Sequence, residues 1–193
     1  MIRPISLMEG LLVSYALVGC AAALTPATMA SAPSIRYTLV NLHPDEVRGR
    51  LYTVNYQQPG LIPRCTGVRF VETTSGHAIF EIASSGRRYL YISHATLREP
   101  FGQHLDRYFG KRCDPGTVAT LSEGDRDGIA RGKALTGMTK GGVILAIGYP
   151  PEHATPSLDA DVWTYWKSRM QTFDVEFMDG KVARIVDSRP PRK

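Results

Sequence analysis

The chain has 193 residues, 43% hydrophobic and 21% charged, with 23 Lys and Arg against 18 Asp and Glu for a formal net charge of +5. That length builds one or two folded units. The bases are scattered as Arg87-Arg88, Lys111-Arg112 and the tail from Arg189 to Lys193, so they read as a solvated basic surface suited to anionic headgroups or acidic partners.

The first element is an export signal. Arg3 and Glu9 precede an apolar run from Leu11 to Leu24, shorter than the roughly 20 residues that span a bilayer and followed by small residues. Leu17-Val18-Gly19-Cys20 resembles the lipobox of bacterial lipoproteins, which implies a signal peptide over residues 1–19 and acylation of Cys20. A cut after Ala30-Ser31-Ala32 is the open alternative and would discard Cys20. Export argues against nucleic acid as a partner. Residues 20–33, rich in Ala, Thr, Ser and Pro, read as a flexible tether.

Residues 34–115 read as a β-rich, small barrel-like domain with a C-terminal helix. Its strands are predicted at Tyr37–Leu42, Leu51–Tyr56, Gly67–Val71, Ala78–Ile82 and Arg88–Ile92, and its helix from Pro100 to Phe109, stopped by Gly110. Residues 116–188 change periodicity. Ser122 and Asp125 open one helix, and Thr139 caps a second that ends at Gly148 before Pro150-Pro151. Strands follow at Val162–Trp166, Thr172–Phe177 and Val182–Val186, with Asp179-Gly180 as a hairpin turn. The sequence therefore predicts an α+β molecule, a small barrel followed by a two-layer domain of two helices on a three-stranded meander. Residues 189–193 form a basic tail.

With Cys20 lipidated or removed, Cys65 and Cys113 remain. In an oxidising compartment an even pair reads as one disulfide, with two separate thiols as the alternative.

The series Gly137-Met138-Thr139, Val143, Leu145 to Gly148 and Pro150, then Trp163-Thr164-Tyr165, Val175-Glu176-Phe177, Gly180 and Val182 resembles the SmpA/OmlA (BamE-like) outer-membrane lipoprotein family over roughly residues 120–187. The string from Gly148 to Leu158, with Asp161 to Trp166, looks like a subgroup carrying a β-rich domain in front, marked here by Asn55-Tyr56 and Ile62-Pro63. One departure stands out. Where a glutamate commonly follows the capping threonine and reaches back to it, this chain has Gly141-Gly142, which cost about 1 kcal/mol each against alanine and predict a late or frayed helix start.

No catalytic constellation emerges. His43, His77, His94, His104 and His153 are dispersed without metal-ligand spacing, Ser84-Ser85-Gly86 lacks a nucleophile elbow, and Asp106, Asp125 and Asp127 read as solvated helix faces. No cofactor or metal is expected. His153, held between prolines, and Trp166, on the opposite face of its strand from Trp163 and Tyr165, are the candidate partner contacts. The resemblance implies a non-enzymatic scaffold or adaptor, lipid-anchored at the periplasmic face of the outer membrane and engaging outer-membrane assembly or other envelope proteins. A periplasmic inhibitor-like or peptidoglycan-binding module, soluble or secreted, is the alternative.

Overall fold

Five short strands open the fold of residues 34–188, which are those described in the computed structural model. The export segment with Cys20, the tether to residue 33 and the basic tail lie outside them. The strands are β1 (Arg36–Thr38), β2 (Arg50–Tyr52), β3 (Gly67–Thr73), β4 (His77–Ile82) and β5 (Arg88–Ile92), followed by α1 (Phe101–Tyr108) and β6 (Phe109–Gly110). They form one mixed sheet in the order β2-β5-β4-β3-β1-β6, antiparallel except where β2 runs parallel to β5.

Alternation decides which side faces inward. Val68, Ala78, Phe80, Tyr89 and Tyr91 are buried, and α1 adds Phe101, Leu105 and Tyr108 to the same cluster. The register of β3 shifts between Phe70 and Glu72, and such a bulge bends and curls the sheet. The first two strands are shorter than their sequence pattern suggests. After Thr38 the chain turns its main chain to other partners, Leu39 N–H to Tyr108 O and Asn41 N–H to Leu145 O. After Tyr52, Asn55 takes a left-handed conformation at φ 56°, which no strand continues through.

The second half contains a 3₁₀ turn at Pro115–Thr120, α2 (Glu123–Arg131), α3 (Lys140–Ile147), β7 (Val162–Ser168), β8 (Gln171–Met178) and β9 (Lys181–Ser188). The last three make an antiparallel sheet in chain order. Asp179 and Gly180 both have positive φ, 52° and 74°, the backbone that a two-residue hairpin between twisted strands requires.

This architecture corrects the expected α+β class. The described residues are mostly β, a six-stranded curled mixed sheet plus a three-stranded sheet, with four short helices making up 20% of them, and not a barrel followed by a helix-helix-meander layer. The physical reason lies in α3. It is eight residues long and apolar nearly all round, the mark of a helix buried on every side. Val143, Ala146 and Ile147 belong to the cluster over β7–β9, with Trp163, Tyr165 and Val175, while Ile144 and Leu145 pack against both hydrophobic clusters. The helix is a wedge shared by two sheets.

Side chains of the first half satisfy the carbonyls left free where α2 and α3 end. Asn41 Nδ2 donates to Ile129 O at 2.7 Å and Ala146 O at 3.2 Å. Asn55 Nδ2 donates to Ile147 O and Tyr149 O, both at 2.8 Å, and Gln57 Nε2 to Ile147 O at 2.9 Å.

At its other end α3 does not start late, since its first residue, Lys140, follows the capping Thr139 directly. Thr139 Oγ1 accepts from Gly142 N–H at 3.0 Å. The carboxylate that sequence reasoning missed comes from α2: Asp125 Oδ1 accepts from Thr139 N–H at 2.8 Å, and Oδ2 accepts from Ser122 Oγ at 2.8 Å. Asp125 is buried, not on a solvated face, and sits at the N-terminal ends of both helices, where a negative charge is favoured. Asp106 and Asp127 instead pair with Arg36 and Arg131. Cys65 and Cys113 are disulfide-bonded with their Cα atoms 5.2 Å apart, tying the end of the β1–β3 connection to the segment after β6.

Candidate functional site

The two sheets meet where the segment after β2 runs alongside the end of β7. Tyr56 and Trp166 form a parallel bridge, and Gln57 N–H donates to Trp166 O at 2.8 Å. Trp163 and Tyr165 face the core and are fully buried; Trp166 points the other way and is half-buried. Its indole N–H is buried without a hydrogen-bond partner. The ring of His153 lies 5.9 Å from that of Trp166, so the structure brings the two sequence-predicted contact residues together.

They share a pocket of about 220 Å³ with Tyr56, His94, Thr96 and Arg169. His94 Nδ1 lies 2.9 Å from Thr96 Oγ1. Burial lowers the His153 pKa, and the positive neighbours His94 and Arg98 lower it further. Burial raises the Tyr56 phenol, which Arg169 opposes by charge and hydrogen bond. Tyr56 and Arg169 also border a second hollow of about 440 Å³, whose walls include Arg48, Arg50 and Tyr52. Arg48 is paired with Asp45 at 2.8 Å, and Asp45 also accepts from the N–H groups of Val47 and Arg48. Among the described residues no carboxylate lies within ion-pair distance of Arg50 or Arg169. Sequence reasoning singled out neither arginine nor His94, because they come from three distant segments with no common spacing. Tyr56 alone had a signal, as part of Asn55-Tyr56.

A buried polar chain elsewhere has the residue types of a relay. Tyr91 Oη lies 2.7 Å from His104 Nε2, and His104 Nδ1 lies 3.2 Å from Glu99 Oε1, which also receives Arg107. Burial first, then the Arg107 charge, lowers the His104 pKa to about 3, so its ring is neutral, donating from Nδ1 and accepting at Nε2. The cavity beside it holds about 20 Å³, room for one water. The arrangement holds α1 on the sheet, joining His104 of α1 to Tyr91 of β5. Among the described residues no group of three or more His, Cys, Asp or Glu could hold a metal ion.

The edges of the three-stranded sheet differ. On β7, Thr164 N–H donates to Thr155 Oγ1 and Trp166 O accepts from Gln57 N–H, so that edge is covered. On β9, Val182 exchanges bonds with Gly137 and Met138, both at 2.8 Å. Val182 lies opposite Phe177, and Ile185 opposite Val175, with a one-residue shift between them. Phe177 N–H points away from β9, to Asp161 O. Alternation along an antiparallel ladder then turns the main-chain groups of Ile185 and Asp187 outward. Among the described residues these have no main-chain partner, and Ile185 and Val186 are 39% and 37% exposed. The outer face of this sheet carries Thr164, Asp174, Glu176 and Arg184 together with Trp166, with Thr164 Oγ1 on Asp174 and Arg184 on Glu176.

Compared with protein-family models, with curated proteins and with solved structures, the chain shows no match.

Proposed function

We propose that this protein is a non-enzymatic cell-envelope lipoprotein of the SmpA/OmlA type, held at the outer membrane by acylated Cys20, where it acts as an adaptor for outer-membrane protein assembly. The observation that carries the adaptor role is the stretch of β9 at Ile185 and Asp187, whose outward main-chain groups meet no main-chain partner among the described residues. An unpaired edge with exposed Ile185 and Val186 is a template for an added strand, and soluble proteins usually blunt such edges. A lipid anchor adds to this by raising the concentration of the edge near membrane-bound partners.

The test is co-purification of the tagged full-length protein from detergent-solubilised membranes, beside an Ile185→Pro variant. Proline at this outward-facing position removes the donor needed by an incoming strand while sparing the bonds to β8. Outer-membrane assembly components should accompany the wild type and be lost with the variant, whose thermal melt stays near wild type. Absence of those components from the wild-type preparation sinks the reading. Intact mass of the membrane fraction tests the anchor separately: an unacylated chain beginning at Pro33 refutes it.

A further inference from the structure

The clefts on either side of Tyr56 and Arg169 have a chemistry that the adaptor role does not use. One lobe, of about 440 Å³, presents Arg50 beside Tyr52. The other, of about 220 Å³, presents Trp166, His94 and His153. Tyr56 and Arg169 border both and stand between them. A volume of this order is that of a small-molecule site.

We propose that this two-lobed cleft binds a small organic oxyanion, a phosphate or carboxylate carried on a flat ring. Charge supports the anion. Among the described residues Arg50 and Arg169 have no carboxylate within ion-pair distance, and the one acidic residue of the walls, Asp45, is consumed by Arg48 and its own loop. A guanidinium suits a two-oxygen acceptor, which it grips with parallel N–H bonds. The walls support the ring, because Tyr52 and Tyr56 lie edge to face at 5.5 Å and Trp166 lies beyond them, giving flat apolar surface against which a planar group packs. The ligand would bridge the lobes, its oxyanion between Arg50 and Arg169 and its ring toward Trp166. It would also span the junction of the two sheets, since Tyr56 and Trp166 are themselves the bridge between them.

The experiment is a titration of the full-length protein with phenyl phosphate and with benzoate, followed by the two indole N–H resonances. Saturable movement of the Trp166 signal, with that of core-buried Trp163 unmoved, is expected with at least one probe, and benzyl alcohol should bind at least tenfold more weakly. Arg50→Gln and Arg169→Gln change exposed side chains and should each weaken binding about tenfold while leaving the melting temperature unchanged. Vesicles containing phosphatidic acid form the lipid arm: arginine-dependent sedimentation with them, without any response to the soluble probes, overturns the small-molecule assignment. So does no saturation by 10 mM of either anion, equal binding of benzyl alcohol, or binding indifferent to both arginines. None of these outcomes depends on whether assembly proteins co-purify.

Discussion

At the scale of single residues, the fold relies on polar side chains placed where no water reaches. His104 carries a consequence for pH. Its pKa falls from 6.5 to about 3 on burial, so below pH 6.5 the unfolded chain binds a proton that the folded chain refuses. The stability this neutral ring contributes is complete above pH 6.5 and is lost as the pH falls toward 3, at up to about 1.4 kcal/mol per pH unit. His43, also lowered by burial and resting on Ala146 O at 3.2 Å, acts in the same direction. Urea midpoints measured between pH 7 and pH 5 should fall steeply in the wild type and less steeply in His104→Gln; identical slopes would exclude His104 as a source. Such residues were hard to read in advance. His104 looked like one of five dispersed histidines, and Asn55 like a family signature without a mechanism. Its left-handed backbone and its two bonds across 92 and 94 residues are facts of tertiary structure.

Helix and strand positions were more legible. Alternation at β4 and β5, Asp-Gly between β8 and β9, and Thr139 and Gly148 around α3 are local chemistry, and local chemistry appears in spacing. The class of the fold was not, because the apolar positions of α3 say that it is buried without saying that two sheets share it. The glycine pair makes the same point within one element. A Cβ on Gly142 would lie 1.9 Å from Asp125 Oδ1, whereas one on Gly141 meets nothing closer than Thr139 Oγ1 at 3.9 Å. Gly142 is the space through which Asp125 reaches the cap of α3. Gly141→Ala should therefore stabilise the protein by about 0.5–1 kcal/mol, as at an open helix site, while Gly142→Ala should destabilise it by about 2 kcal/mol or more through overpacking and disruption of the cap. Opposite shifts in the urea midpoint check this; equal shifts would mean that the carboxylate moves aside freely.

For the whole molecule, the disulfide and the wedge act on the same problem. Closing a loop across a separation of 48 residues contributes about 4 kcal/mol in the chain-entropy picture. Calorimetry after reduction and alkylation should show the melting temperature lowered on the order of 10 °C, still as a single transition, since Asn41, Asn55 and Gln57 join the two sheets through α2 and α3. Two transitions, each reporting one sheet, would contradict the shared wedge.

The position of that wedge in the chain also orders events in time. A polypeptide emerges from its N-terminus, and the carbonyls of Ile147 and Tyr149 that Asn55 must meet arrive more than 90 residues after it. Until then β3, β4 and β5 can pair and Cys65 can find Cys113, but the sheet stands open on the side that α3 will close. The nascent chain is thus held incomplete, its Tyr56 wall unformed, until the last third of the sequence has been delivered.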